Sequence, residues 1–283
     1  MPDIGPFIID ADWLADNLDT PGVSIVDASW YLPAQGRNAK AEYEAAHIPG
    51  AVFFDQDAVV DPDSSLPHAL PDARTFARHV GAMGISADDT IIVYDGPGVF
   101  SAPRVWWMFR IMGAAEVFVL DGGIDRWKAE GRPVSAEPTK VAANVFFAEF
   151  DSSRVASLEE IRGIVRSGDS QIADARPAGR FEGREPEPRP GIRGGHMPGA
   201  RSLPGSSLSS GGSLLSPDEL RRRFADAGID LSKPVVTSCG SGVTAAIVTL
   251  ALDTLGHSRH KLYDGSWSEW GGRPDTPVAT GKE

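Results

Sequence analysis

The chain has 283 residues, of which 41% are hydrophobic and 23% charged, and this length suggests two domains of ordinary size. Its 27 basic and 39 acidic residues give a formal net charge of -12 at pH 7, which argues against nucleic acid or an anionic membrane as a partner. With one cysteine, the chain can form neither an intrachain disulfide nor a multi-cysteine metal site, which suits a reducing compartment.

In chain order, the first residues carry no basic region, and acidic residues interrupt their short apolar stretch, so they do not resemble a signal peptide. No later stretch approaches the roughly 20 apolar residues of a membrane-spanning helix. We therefore expect a cytoplasmic protein that binds neither membrane nor nucleic acid.

The chain is a diverged tandem repeat, because segments of the first half return in the second half in the same order. The matching pairs are an apolar run ending in Asp-Ala (25–28 and 172–175), AHIPGA and GHMPGA (46–51 and 195–200), IIVYDGPGV and VVTSCGSGV (91–99 and 235–243), and LDGGIDRW and YDGSWSEW (120–127 and 263–270). This pairing places Asp95 opposite Cys239.

Each copy alternates short runs rich in valine and isoleucine with segments of helical period. The helical segments are 73–80, 103–112 and 123–130 in the first copy, and 158–165, 217–227 and 243–255 in the second. This alternation predicts an α/β fold with parallel strands and crossover helices on both faces of each sheet. We place the first domain at 1–138, a linker at 139–153 and the second domain at 154–283.

Some side chains are predicted to be structural. Trp106, Trp107 and Trp127 lie at helical spacing beside aliphatic residues, which is typical of core packing. His47 and His196 occupy equivalent places in both copies, including the copy without cysteine, and we interpret them as structural too.

A segment rich in glycine, proline and serine runs from 177 to 212 and is too long for a simple connection, so we expect it to be functional. Its arginines are Arg180, Arg184, Arg189, Arg193 and Arg201.

Cys239 follows a buried-strand pattern and precedes an apolar helix, with Gly240 and Gly242 in the loop between them. The glycines allow successive N–H groups to converge on one anion, and the start of the helix adds the positive end of its dipole. Such a loop stabilises a thiolate, the nucleophilic form of cysteine, and a persulfide made from it. A lone cysteine is otherwise most often a small buried hydrophobe, but that role needs no Gly-x-Gly loop.

Six motifs carry a family resemblance that runs over nearly the whole chain. They are ASWYLP (28–33), HIPGA (47–51), SAPRVWWMFR (101–110), GRFEGREPEPR (179–189), CGSGVTA (239–245) and YDGSWSEW (263–270). Together they resemble the 3-mercaptopyruvate sulfurtransferases of the rhodanese superfamily. The resemblance implies two tandem rhodanese-like domains, each a mainly parallel central sheet flanked by helices, of which only the second keeps the catalytic cysteine.

The resemblance also implies how substrate binds. The implied binding residues are Arg180, Arg189, Gly240, Gly242, Val243 and Thr244. Arg180 and Arg189 match the substrate-carboxylate arginines of the family, a task for which the guanidinium fork is suited. Arg184 has no family role, and we expect it to face solvent. Relatives that prefer thiosulfate carry basic side chains directly after the cysteine, whereas Gly240 and Ser241 are similar to the mercaptopyruvate type.

Asp57, His68 and Ser241 match a hydrogen-bonded arrangement proposed for proton transfer in the family, in which the aspartate fixes the histidine tautomer. The implied mechanism is double displacement without metal or organic cofactor. The Cys239 thiolate takes the sulfur of 3-mercaptopyruvate and releases pyruvate, and cyanide, a small thiol or reduced thioredoxin then removes that sulfur.

Three other functions compete with this hypothesis. A thiosulfate:cyanide sulfurtransferase differs mainly in its donor. A cysteine phosphatase requires an arginine six residues after the cysteine, where this chain has Ala245, so we set it aside. A non-catalytic sulfur carrier or binding module would not need Cys239 together with Arg180 and Arg189.

Overall fold

The structure is a computed structural model that describes residues 5–282, and these divide into two compact units. The first unit comprises the residues up to Pro62, together with Leu70–Asp151 and Ser209–Leu214. The second comprises Asp63–Ala69, Ser152–Leu208 and the residues from Leu215 onward. Each unit thus includes one short segment from the other half of the sequence. The predicted linear boundaries of the domains stay a prediction.

The first unit is built on a five-stranded parallel sheet. Its elements are β1 (Ile8–Ile9), α1 (Ala11–Asp16), β2 (Val23–Asp27), α2 (Ala39–Ala45), β3 (Val52–Phe53), α3 (Ala73–Ala82), β4 (Thr90–Tyr94), α4 (Ala102–Ile111), β5 (Val117–Leu120) and α5 (Gly123–Ala129). The strand order is β1-β5-β4-β2-β3, and every pairing is parallel. Four of the five residues of β4 are buried, as expected of a central strand with both faces covered.

The second unit repeats this architecture. Its elements are β6 (Val155–Ala156), α6 (Leu158–Ser167), β7 (Gln171–Asp174), α7 (Ala178–Phe181), β8 (Ala200–Ser202), α8 (Pro217–Asp226), β11 (Val235–Ser238), α9 (Ala245–Thr254), β12 (His260–Tyr263) and α10 (Ser266–Trp270). Between β8 and α8 the chain forms a hairpin of β9 (Ser209–Ser210) and β10 (Ser213–Leu214), which belongs to the first unit. The sheet order is β6-β12-β11-β7-β8, again all parallel. The α/β fold predicted from the repeat is confirmed.

The six predicted helices are all present, and their ends differ from the predicted ends by at most two residues. Local signals explain this agreement. In α6, Ser157 and Glu160 form a reciprocal capping box at the start, and Gly168 ends the helix in a left-handed conformation. None of the helices within residues 5–282 has the length and apolar character needed to cross a membrane.

Two buried histidines show the repeat in atomic detail. His47 Nδ1 lies 2.8 Å from the carbonyl oxygen of Tyr43, and His196 Nδ1 lies 2.9 Å from that of Phe181. Each imidazole also stacks on the ring of the same residue, with centroids 4.3 and 3.8 Å apart. Equivalent contacts in both units agree with the predicted structural role. The three predicted core tryptophans, Trp106, Trp107 and Trp127, are likewise buried.

Most of the predicted linker packs against the first unit in an extended conformation. Asn144 donates its backbone N–H to the carbonyl of Gly81 at 2.8 Å, and Glu149 donates to Met112 at 3.0 Å. Phe146 is buried beside the ring of Phe76, with centroids 5.5 Å apart. This part of the linker therefore has a defined place in the first unit.

A buried carboxyl group ends β2. Asp27 accepts the N–H of Ser29 at 2.9 Å, and burial raises the pKa of Asp27 from 3.8 to about 6. The nearby carboxyl of Asp95 adds to this rise, whereas hydrogen bonds from Ser29 and Tyr94 oppose it. Because this pKa is higher in the folded state, the folded protein binds the proton more tightly than the unfolded chain does. The resulting stabilisation is complete below pH 3.8 and is lost as the pH rises through about 6.

Asp27→Asn should therefore stabilise the protein at neutral pH, because it removes a buried charge and keeps the shape of the side chain. The free energy of unfolding is expected to rise by up to about 3 kcal/mol near pH 7.5 and to change little near pH 4. Urea unfolding across this range measures the difference, with Asp19→Asn on the surface of the same unit as the control. A gain in stability that is the same at every pH would contradict this assignment.

Candidate active site

Cys239 directly follows β11, at the edge of the second sheet where its parallel strands end, and its side chain is 2% exposed. The next helix, α9, begins at Ala245, two residues after the predicted start, so Val243 and Thr244 belong to the loop. Gly242 has a left-handed φ of 81°, which lets the chain turn within this short loop. The thiol therefore lies beside the N-terminus of a helix.

The N–H groups of this loop are available to an anion. Within residues 5–282, the backbone N–H groups from Ser241 to Ala245 have no protein acceptor. Unpaired donors at a helix N-terminus, with the positive end of the helix dipole behind them, bind anionic groups well. This arrangement suits a thiolate or a persulfide at Cys239.

The first unit shows what the same loop does with an anion. Asp95, which the repeat places opposite Cys239, is fully buried, and its carboxylate accepts four backbone N–H groups. The donors are Gly98 at 2.6 Å, Phe100 at 2.9 Å, Ser101 at 2.6 Å and Ala102 at 2.7 Å. Burial raises the pKa of Asp95, and these four bonds counteract that effect. A loop of this kind thus surrounds a negatively charged group in the first unit.

The residues after β12 form hydrogen bonds with the backbone of the cysteine loop. Trp267 donates its backbone N–H to the carbonyl of Cys239 at 2.9 Å, and Ser268 donates its own to the carbonyl of Gly240 at 2.8 Å. The Ser268 hydroxyl also donates to Gly240, at 2.6 Å. Cys239 is held through its own N–H as well, which donates to Ser266 Oγ at 3.1 Å. The motif YDGSWSEW therefore fixes the backbone on both sides of the thiol.

The structure brings together two members of the predicted proton-transfer trio. His68 Nδ1 lies 2.9 Å from Ser241 Oγ, and both side chains are buried in the second unit. His68 has a left-handed φ of 57°, which histidine tolerates better than most residues. Asp57 belongs to the first unit, where its carboxylate accepts the indole N–H of Trp30 at 3.2 Å. The role of Asp57 in proton transfer stays a prediction.

Arg180 lies beside the cysteine loop, since its Nη2 is 3.1 Å from the position that a Cβ atom on Gly240 would occupy. Its side chain is 17% exposed, and Nη2 donates to a carboxylate oxygen of Glu187. Glu187 also accepts from Arg176 at 2.7 Å, and Arg176 in turn donates to Asp174 at 2.7 Å. A buried chain of alternating charges therefore ends at Arg180.

Neither Arg176 nor Glu187 is among the residues predicted to form the site, although Glu187 lies within the motif GRFEGREPEPR. The only local signal for Arg176 is its place directly after the Asp-Ala run (172–175). Arg189 is half-buried in the same segment as Glu187, and its role toward substrate stays a prediction. Arg184 is 62% exposed and pairs with Glu182, which confirms that it faces solvent.

Comparisons with known proteins agree with this geometry. Residues 10–130 and 157–273 each match the rhodanese-like domain. The chain belongs to the rhodanese family. The match covers both units, so the predicted pair of rhodanese-like domains is confirmed.

Similar full-length members of the rhodanese family carry sulfurtransferase names. The 3-mercaptopyruvate sulfurtransferase of Escherichia coli is 44% identical over 96% of this chain and 97% of its own length. The mitochondrial thiosulfate/3-mercaptopyruvate sulfurtransferase 1 of Arabidopsis thaliana is 42% identical over 96% of this chain and 77% of its own. The crystal structure of the 3-mercaptopyruvate sulfotransferase SseA from Escherichia coli superimposes with a TM-score of 0.86 at 42% identity, covering 92% of this chain and 98% of that one.

Proposed function

We propose that this rhodanese-family chain is a sulfurtransferase that takes sulfur from 3-mercaptopyruvate onto Cys239, releases pyruvate and passes the sulfur to a thiophilic acceptor. The observation that carries the proposal is the buried thiol at the start of a loop whose N–H groups, from Ser241 to Ala245, have no acceptor within residues 5–282. The counterpart of this loop in the first unit binds the carboxylate of Asp95. These groups stabilise the sulfur anion in the thiolate and in the persulfide alike.

In the first half-reaction, the Cys239 thiolate attacks the sulfur of the donor. An S–S bond forms, the carbon–sulfur bond of the donor breaks, and its electron pair goes to the carbon as the enolate of pyruvate. The proton lost from the donor thiol is the one that the enolate finally takes up. Ser241 Oγ and His68 Nδ1, 2.9 Å apart, form a hydrogen-bonded pair that supports the handling of this proton next to the cysteine loop.

In the second half-reaction, an acceptor attacks the outer sulfur of the persulfide, and Cys239 leaves as the thiolate. Cyanide, a small thiol or reduced thioredoxin each supplies the required nucleophile. The loop N–H groups serve both half-reactions because the negative charge stays on sulfur close to them. We keep the cytoplasm as the predicted site of this reaction.

The choice of donor rests on the groups around the thiol. The two residues after Cys239 are Gly240 and Ser241, so no basic side chain directly follows the nucleophile to attract a dianion such as thiosulfate. Arg180 offers a guanidinium edge beside Gly240, which suits a donor with one carboxylate. Thiosulfate remains the alternative donor, because one similar plant protein is named for both.

The test compares two assays with cyanide as the common acceptor: pyruvate release from 3-mercaptopyruvate and thiocyanate formation from thiosulfate. We expect kcat/KM to favour 3-mercaptopyruvate by at least about tenfold, the range that differential contacts in one site supply. Equal or better use of thiosulfate would show that Gly240 and Ser241 do not select the donor. Turnover of neither compound would favour a sulfur carrier without catalytic function.

A further inference from the structure

Ser266, the first residue of α10, has an unusual backbone conformation. Its φ is 49°, in the left-handed region, and only two other non-glycine residues within 5–282 have a positive φ. The side chain is fully buried. A left-handed conformation at a residue with a Cβ atom costs free energy, and such strain persists where the surrounding contacts require it.

The contacts of the Ser266 hydroxyl point to the cysteine. Oγ accepts the backbone N–H of Cys239 at 3.1 Å and donates to the carbonyl of Tyr263 at 2.8 Å. The hydroxyl thus ties the nucleophile's own peptide to the end of β12. Both hydrogen bonds are buried, where the loss of a partner is most costly.

The first unit has no counterpart to this hydroxyl. The repeat places Gly123 opposite Ser266, and Gly123 has a similar φ of 60°. A Cβ atom on Gly123 would collide with the carbonyl oxygen of Asp95 and would lie 2.6 Å from the backbone nitrogen of Gly98. The left-handed turn is therefore common to both units, but only the unit with the cysteine places a hydroxyl there.

We propose that Ser266 is a positioning residue for the nucleophile. By accepting the N–H of Cys239, Oγ fixes the backbone from which the sulfur projects, at the start of the loop that carries the N–H groups from Ser241 to Ala245. The inference rests on the proposed function in one respect, namely that Cys239 is the nucleophile. Ser266 acts through the backbone of Cys239 and has no place in the bond-making steps.

Ser266→Gly tests this role without adding backbone strain, because the equivalent position of the first unit is already glycine. The first readout is the rate of Cys239 alkylation by iodoacetamide as a function of pH, with no sulfur donor present. We expect the midpoint of this profile to move upward by about half a unit to one unit, because the thiolate is held less well by the loop. In the same variant, kcat for pyruvate release should fall roughly tenfold while KM stays nearly constant.

Two further variants complete the test. Ser266→Ala keeps the strained backbone and lacks the hydroxyl, so it should show the same alkylation shift together with lower stability. Ser167→Gly is the matched control, since the Ser167 hydroxyl also accepts a backbone N–H, that of Asp169 at 3.3 Å. Ser167 lies before the start of β7, at the end of the sheet opposite to Cys239. Its alkylation profile should equal that of the wild type.

An unchanged alkylation profile in Ser266→Gly, or the same shift in Ser167→Gly, would overturn the inference. The alkylation readout is independent of the donor. If the wild type does not turn over 3-mercaptopyruvate but the profile still moves in Ser266→Gly, the positioning role stands and the proposed function is wrong.

Discussion

Cys239→Ser is expected to lower pyruvate release from 3-mercaptopyruvate by roughly a thousandfold or more, because a hydroxyl cannot form the persulfide on which both half-reactions depend. The substitution is nearly isosteric in a loop whose backbone is held by Trp267, Ser266 and Ser268, so the fold should be retained. Steady-state assays with cyanide as acceptor measure the loss, and thermal unfolding checks the fold.

Mass spectrometry gives an independent readout of the same variant. After incubation with donor alone, the wild type should gain the mass of one sulfur atom, and cyanide should remove it. Cys239→Ser should gain nothing. Turnover in Cys239→Ser above the rate without enzyme would sink the persulfide mechanism, whatever the donor.

Arg180→Lys is expected to lower kcat/KM for 3-mercaptopyruvate roughly tenfold to hundredfold, mainly through KM. Lysine keeps the charge, but it cannot bind a carboxylate with two parallel N–H bonds or present the same edge to Glu187. Discharge of a preformed persulfide by cyanide should proceed at the rate of the wild type, because that step involves no carboxylate.

Arg184→Lys is the matched control for this substitution, since Arg184 lies in the same segment, is largely exposed and pairs with Glu182 at the surface. Its kcat/KM should stay close to that of the wild type. Equal losses in Arg180→Lys and Arg184→Lys, or slower cyanide discharge in Arg180→Lys, would show that the effect comes from a disturbed segment and not from carboxylate binding.

Much of the fold was predictable because its signals are local. The short runs rich in valine and isoleucine predicted the strands, and the segments of helical period predicted the helices. Residues such as Ser157 and Gly168 mark the ends of a helix through contacts with close neighbours in the chain. The start of α9 was predicted two residues too early because Val243 is apolar and continues the helical pattern, although its backbone is part of the cysteine loop.

The site was predictable only in part, because its contacts join distant positions. His68 and Ser241 are 173 residues apart, and their pairing was suggested by family resemblance and not by spacing. Glu187 was missed because its importance lies in the two arginines that it joins, the buried Arg176 and the partly exposed Arg180. The left-handed backbone of Ser266 has no sequence signal of its own, since serine seldom adopts that conformation.

The carboxylate of Asp95 bears on how a preserved loop in a duplicated enzyme should be interpreted. A loop without the cysteine still needs an acceptor for its N–H groups, because N–H groups buried without a partner are costly, and in the first unit the side chain of Asp95 supplies that acceptor from within the chain. The first unit thus resembles an enzyme with an inhibitor built into its own chain. A preserved loop in such proteins is therefore no evidence of activity. The residue at the start of the loop decides: a cysteine can gain and lose a sulfur atom there, whereas an aspartate keeps its carboxylate in the loop permanently.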